Sequence, residues 1–346
     1  MSALRMLDMT FLERFRGGNH IPDVSLSGRT VLVTGGNQGL GLEAAIHFAR
    51  LSPGLLILTA RTPSQGEAAA DRIAKETPLA RDRIQVWQLD LASFANVKAF
   101  GEKARRELER LDVACLNAAV AGFSYGKTDD GHERMIQVNV TSTGLLAIEL
   151  LPLLLKTADL PTPPGADNLK PHLSIIASDV HFVAAFEERN SVPSKHSTYL
   201  AALDDESIFK GMDRYNVSKL LDVMMARKFA KLPQVKAKGI IVNSVNPGLT
   251  KSGLRKEMGS IGEMIFNVIA RPTADSAMNY VYAGVSDTDG QEWSKDGGAF
   301  VSLCQVKKPS DFVLSEEGQE VGRKIWAELV EQWKGVDAEV VKEVIG

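Results

Sequence analysis

A chain that runs Thr30-Val31-Leu32-Val33, then Thr34-Gly35-Gly36-Asn37-Gln38-Gly39-Leu40-Gly41, then Leu42-Glu43-Ala44-Ala45-Ile46-His47-Phe48-Ala49 has few folds open to it. The β-branched run reads as a buried strand and the last run as a helix. Strand, glycine-rich turn and helix together aim the unpaired amides of a helix N-terminus at a phosphate. In this arrangement Gly35 allows the tight turn, Gly39 lets backbone approach a pyrophosphate, and Gly41 permits close packing of helix on strand. Taken alone, the segment also reads as a turn with no ligand. Its glycine spacing departs from the G-x-G-x-x-G pattern.

The rest of the chain keeps the same rhythm. Apolar runs end near Val33, Thr59, Leu89, Leu116, Ala177 and Val245, with a further strand around Phe300-Val301, and helical stretches such as Gln65 to Lys75, Phe94 to Leu108 and Asn216 to Lys231 lie between them. Alternation of this kind predicts an α/β fold, a doubly wound parallel sheet with helices on both faces. Ligands then bind beyond the carboxyl ends of the strands, at the switch point. With 346 residues and 44% hydrophobic composition, the chain can bury a substantial core in one domain.

Composition excludes several alternatives. A formal charge of −3 gives no basic footprint for nucleic acid. Cys115 and Cys304 make no disulfide framework, and no Cys/His cluster has zinc-ligand spacing, so no metal is expected. The N-terminus carries charges throughout and is a poor signal peptide. Met6 to Phe15 reads as a short amphipathic helix on the domain or on a membrane surface. Gly144 to Leu155 is the greasiest stretch, but it falls short of the roughly 20 residues a span requires and contains Glu149 and Pro152. Core or interface helix is the better reading; no stable membrane insertion and a cytoplasmic location are expected.

The chemistry is carried by Tyr215-Asn216-Val217-Ser218-Lys219. Positions i and i+4 share a helix face, so a phenol and an ammonium project toward one pocket. The cation favours phenolate, easing movement of a proton on or off the tyrosine, and the pair suits general acid/base work near neutral pH.

Thr34-Gly35-x-x-x-Gly39-x-Gly41 with Tyr215-x-x-x-Lys219 resembles the short-chain dehydrogenase/reductase superfamily. Between and beyond these motifs, in the family's order, stand Asp90 in Gln88-Leu89-Asp90-Leu91, Asn117-Ala118-Ala119, Asn139, Ser178, and Asn246-Pro247-Gly248-Leu249-Thr250. The match runs from about Leu26 to the C-terminal helix, and its texture is similar to retinol-dehydrogenase-like and fungal natural-product reductase members. The resemblance implies a Rossmann fold over 26–346 behind an N-terminal extension, 1–25. It implies that Tyr215 moves the proton, that Lys219 supports the tyrosinate and holds the nicotinamide ribose, and that Asn139 holds a water linking Lys219 to solvent. Ser178 would bond the carbonyl oxygen and stabilise its developing charge. Two bland readings stay open: Ser178 as a strand-end turn residue, and Asn139 as a group that satisfies neighbouring backbone. Ser174 lies inside the expected strand, too early to reach the pocket. Ser178, Asp179 and His181 name a hydrolase triad, but triad members converge in space rather than run together, and no Gly-x-Ser-x-Gly elbow surrounds them.

For the cofactor, the resemblance assigns Gly35, Asn37, Gln38, Gly39, Leu40, Gly41, Asp90, Leu91, Asn117, Ala118, Pro247, Gly248 and Thr250, besides Tyr215 and Lys219. An NAD site places a carboxylate about 20 residues after the glycine loop, whereas an NADP site offers arginine to the 2′-phosphate. Here Leu58-Thr59-Ala60-Arg61-Thr62 has no acid and ends on Arg61. A guanidinium binds phosphate in a bidentate manner, so NADP(H) and the reducing direction are favoured.

Ser178 and Tyr215 stand farther apart than the family usually sets them, and the excess is an insertion, 181–212, expected to lie as a lid beside the substrate. Residues 251–269 resemble the family's variable substrate-covering segment, with an apolar tendency. The resulting expectation is an NADPH-dependent reductase of an apolar ketone or aldehyde, with a place in secondary metabolism. An alcohol dehydrogenase for a retinoid- or steroid-like alcohol, and a non-catalytic NADP-binding scaffold, are the alternatives. The partner is then a small hydrophobic carbonyl or alcohol, and by resemblance a second copy, docked through helices that include Asn139–Leu155.

Overall fold

The computed structural model describes residues 20–250 and 271–346. The expected amphipathic helix from Met6 to Phe15 and the substrate-covering segment 251–269 lie outside them. Eight strands form one sheet in the order β3-β2-β1-β4-β5-β6-β7-β8. They are β1 Thr30–Val33, β2 Leu55–Ala60, β3 Ile84–Gln88, β4 Val113–Leu116, β5 His172–Ile176, β6 Ile241–Val245, β7 Ala299–Ser302 and β8 Gln305–Lys307. Pairs from β1 to β7 are parallel, while β8 returns antiparallel on β7. The order turns outward in both directions from β1 and β4, so the crevice for a ligand opens between them.

Successive side chains on a strand point to opposite faces, and the core divides accordingly. Leu32, Ala114, Leu173 and Ile175 face one hydrophobic cluster; Val31, Val33, Val113, Cys115 and Ile176 face the other. The second cluster is closed by helices α1 (Gly39–Arg50), α2 (Pro63–Glu76) and, from farther along the chain, Thr273–Val285. The first is closed by α3 (Phe94–Glu107), α4 (Arg134–Ala158), α5 (Gly211–Phe229) and two helices near the C-terminus. With Thr273–Val285 as α6, these two are α7 (Glu316–Val336) and α8 (Ala338–Ile345).

Helix α4 extends well past the greasy stretch seen in the sequence. It is long and apolar enough to cross a membrane, but 89% of its apolar window is buried inside the protein, as a core helix requires. Its flanks are covered by α3, α7 and α8. Trp333 of α7 packs so tightly on α4 that a Cβ on Gly144 would come within 2.3 Å of its ring. Near its start α4 makes a π-helical turn, Gln137–Thr141, that carries Asn139.

The antiparallel edge strand β8 was not foreseen. The insertion 181–212, expected as a lid beside the substrate, runs through short helical turns and sends a few side chains into the core. Phe182, Phe186, Tyr199 and Leu203 are buried in the cluster that includes Ile325 and Leu329 of α7. Arg214, fully buried at the start of α5, donates from Nη2 to Glu188 Oε1 at 2.8 Å and from Nη1 to the Leu203 carbonyl. The Glu328 carboxylate accepts from the Tyr199 and Leu200 amides at 3.0 and 2.9 Å.

Candidate active site

The glycine loop leaves β1 with Gly35 at φ +62° and Gly39 at φ +58°, backbone conformations that disfavour any side chain. The roles expected of the three glycines separate clearly. A Cβ on Gly41 would meet the Gly35 carbonyl at 2.4 Å and Asn117 Nδ2 at 2.5 Å, whereas one on Gly39 would meet nothing within 4 Å among the described residues. Gly41 is thus a packing glycine, and Gly39 opens onto free space at the first turn of α1. Gln38 precedes that turn in extended conformation without capping it, leaving the helix N-terminal amides available.

Neighbouring strands brace the loop. Asn117 Nδ2 donates to the Thr34 carbonyl at 2.8 Å, the Ala118 amide donates to Thr34 Oγ1 at 2.9 Å, and the Gly35 amide donates to Thr59 Oγ1 at 3.1 Å. Thr34, the first residue of the glycine motif, and Thr59 therefore set the loop's height over the sheet. Thr59 is a strand-end threonine with no distinguishing spacing. Arg61 follows β2 with its side chain exposed. Asp90 is half-buried, and its Oδ1 accepts from the Ala92 amide at 2.9 Å, ordering the turn that carries buried Leu91. Gly248 sits at φ +78° after β6, between half-buried Pro247 and buried Thr250.

Helix α5 carries Tyr215 and brings Lys219, one turn later, to the end of β5. Lys219 Nζ lies 5.9 Å from the Tyr215 ring centroid, donates to the Ile176 carbonyl at 2.8 Å, and pairs with Asp222 Oδ2 at 3.0 Å. Burial alone would push the Lys219 ammonium down, but the charges of Asp222 and Tyr215 outweigh it and hold it above the ordinary lysine value. Ile176 is two residues before Ser178, so this lysine contact brings α5 against the strand end that presents the serine.

Asn139 joins from the π-turn of α4, a deformation often found at functional sites. Its Oδ1 accepts from the Val120 amide at 2.8 Å; its Nδ2 donates to the Val120 carbonyl at 2.9 Å and to Ser218 Oγ at 3.0 Å. Ser218 Oγ in turn donates to the Tyr215 carbonyl at 2.8 Å. Asn139 thus satisfies backbone and also touches α5 one residue before Lys219.

Ser178 Oγ donates to Asp179 Oδ1 at 3.1 Å and accepts from the Val180 amide at 3.3 Å, capping the short turn Asp179–Phe182. Ser174 is fully buried within β5. His181 rules out the hydrolase triad by its partners. Its Nε2 accepts from the Ser310 amide at 3.0 Å, so Nδ1 carries the proton and donates to the Ser178 carbonyl at 2.7 Å, not to the hydroxyl. Burial pushes His181 down to about 4, keeping the ring neutral. Asn246 ties the strand ends together: its Oδ1 accepts from the Asp179 and Gly248 amides at 3.0 and 2.9 Å, and its Nδ2 donates to Ser302 Oγ at 3.1 Å.

A doubly wound sheet with a bare helix N-terminus at its switch point is the architecture of dinucleotide-binding proteins. Comparison with known proteins places it further. The family model described as short chain dehydrogenase matches residues 29–159. The chain is 33% identical over 314 residues to the short chain dehydrogenase/reductase dmxR8 of Cryptosporiopsis sp., covering 90% of this chain and 92% of that one. It is 37% identical over 287 residues to the short chain dehydrogenase sol3 of Alternaria solani, covering 83% and 93%. The chain belongs to the short-chain dehydrogenase/reductase family, oxidoreductases acting on carbonyl or CH–OH groups. Among solved structures, a Mycobacterium paratuberculosis protein aligns with TM-score 0.64 at 21% identity over 91% of this chain and 96% of that one. NADPH-bound carbonyl reductase from chicken fatty liver aligns with TM-score 0.58 at 19% identity, over 82% and 100%. These likenesses speak to the fold.

Proposed function

We propose that this protein is an NADPH-dependent reductase of an apolar ketone or aldehyde. The observation that carries the reading is the 2.8 Å contact of Lys219 Nζ with the Ile176 carbonyl at the end of β5, with the Tyr215 ring 5.9 Å from the same ammonium. In reduction the nicotinamide supplies a hydride to the carbonyl carbon. Tyr215 Oη gives its proton to the carbonyl oxygen, and the Lys219 ammonium offsets the charge left on the phenolate. Ser178 Oγ donates to the same oxygen as negative charge builds. Asn139, in contact with Ser218, would hold a water on the proton path behind Lys219.

Residues of the glycine loop would hold the pyrophosphate through the α1 amides, with Lys219 on the ribose, Asp90 and Leu91 at the adenine, and Pro247, Gly248 and Thr250 near the carboxamide. Exposed Arg61, at the end of β2 with no acid beside it, supports recognition of the 2′-phosphate. The domain so proposed spans 26–346, and the insertion 181–212 supplies a fixed wall next to Ser178. A role in secondary metabolism is consistent with relatives such as phmF of Phaeosphaeria nodorum and ffsI of Aspergillus flavipes, both named short-chain dehydrogenase/reductase.

The test is oxidation of NADPH in the presence of a panel of apolar ketones and aldehydes, with NADH in parallel. NADPH-dependent turnover that disappears in Tyr215→Phe is expected. Turnover equal in the two, or a strict preference for NADH, would sink the reading.

A further inference from the structure

Tyr215, Lys219 and Asp222 occupy i, i+4 and i+7 of α5, one stripe of the helix. Lys219 and Asp222 are 3% and 1% exposed. An isolated ammonium at that depth is costly unless paired, and the Ile176 carbonyl brings no charge to offset it. Only Asp222 does. On its side the carboxylate is equally dependent: Oδ1 is buried without a hydrogen-bond partner among the described residues, and Oδ2 has Lys219.

We propose that Asp222 is a positioning residue for the reaction, holding Lys219 on the tyrosine's side of the helix and keeping it an ammonium inside the core. The inference rests on the reading of Tyr215 and Lys219 given above. Asp222 and Tyr215 are the ionisable groups whose charge acts on Lys219, and Lys219 is the one acting on Asp222, among the described residues. From β5 comes only a carbonyl. Tyr280 of α6 faces Tyr215 and the Cys115 thiol of β4 faces Tyr280; burial pushes both up, so they remain neutral and cannot replace the carboxylate. Burial also pushes Asp222 itself up, against the pull of Lys219, so the pair is stable as a pair and neither charge is stable alone.

Lysines labelled with carbon-13 at Cε report their charge through the carbon shift, and Lys219 is the resonance missing from Lys219→Met. In the full chain Lys219 is expected to stay charged to the highest pH the fold survives. In Asp222→Asn it should lose its proton at least about one pH unit lower, the loss of a buried counter-charge. Asp222→Ser gives the same reading if the amide does not pack, and Asp222→Glu should restore the wild-type titration. A Lys219 titration unchanged in the neutral variants overturns the proposal. The pH profile of NADPH-dependent reduction is the second readout: its alkaline limb should move to lower pH with Asp222→Asn. A uniform fall in turnover with an unmoved limb would mark a merely structural role and equally overturn it. Tyr215→Phe separates the two inferences, since full turnover there would sink the catalytic reading while the Lys219 titration still decides on Asp222.

Discussion

The glycine loop and the segment ahead of Tyr215 are held by opposite means. Around the loop every brace is short and neutral: Asn117 on Thr34, Ala118 on Thr34, Gly35 on Thr59. The space is so tight that Gly41 has no room for a methyl group. The segment from 181 to 212 depends instead on charged side chains reaching across the chain, with buried Arg214 on Glu188 and half-buried Glu328 on the amides of Tyr199 and Leu200. A site shaped by backbone clearance admits little variation, whereas a wall pinned by a few ion pairs can change its apolar lining while keeping its anchors. The loop that would meet a cofactor is therefore rigid in sequence, and the insertion proposed to meet the substrate is free to differ.

Substitutions test the contrast, beginning with the chemistry both halves serve. Tyr215→Phe should cost about 100- to 10,000-fold in turnover, the range of a lost general acid, with NADPH affinity retained by fluorescence titration. Next, Arg214→Ala leaves the buried Glu188 carboxylate uncompensated and should cost about 3–5 kcal/mol of stability. Its urea midpoint should fall sharply; an unchanged midpoint would mean that the charges do not anchor the wall. Arg61→Ala should weaken NADPH binding by about 1.5–3 kcal/mol, the worth of a charged hydrogen bond, and leave NADH binding nearly untouched. Equal losses for both cofactors would move the 2′-phosphate contact elsewhere.

Within the loop, Gly41→Ala should destabilise by about 1–3 kcal/mol through overpacking. Gly39→Ala, with open space but positive φ, should cost only about 1 kcal/mol. Reversal of that order in thermal melts would contradict the two roles. The smallest effect belongs to His132, whose Nδ1 meets Asp204 Oδ2 at 2.7 Å at the edge of the insertion. The hydrogen bond to Asp204, outweighing burial, holds His132 above the ordinary imidazole range. Its contribution is thus fully present below the unfolded value and fades as pH rises through the folded one. For a half-exposed pair it should be under about 1 kcal/mol, seen as a stability difference between pH 5.5 and 8.5 that His132→Gln removes.

Much of this architecture is legible before any coordinates. Strands β1 to β7 follow from β-branched runs between helical periods, and the loop from its glycines. Strand β8 escaped notice because its hairpin turns through Leu303 and Cys304, both at positive φ, without the glycine or asparagine that usually signals such a turn. Asp222 escaped because an acid three residues after a lysine on a helix ordinarily reads as a solvated pair; burial, which no spacing reveals, gives it meaning. The packing of the insertion was hidden for a related reason. Its anchors, Glu328 and Arg214, carry no local pattern that names their partners.

Trp333 gives the site a time dimension. Its indole Nε1 donates to the Thr141 carbonyl at 2.8 Å, across 192 positions of sequence, at the end of the π-turn that holds Asn139. At about 5–20 residues per second, that carbonyl waits roughly 10–40 s on the ribosome for its donor. During synthesis the glycine loop can form early, but the turn carrying Asn139 is finished only when α7 docks, making that turn one of the last parts of the molecule to mature.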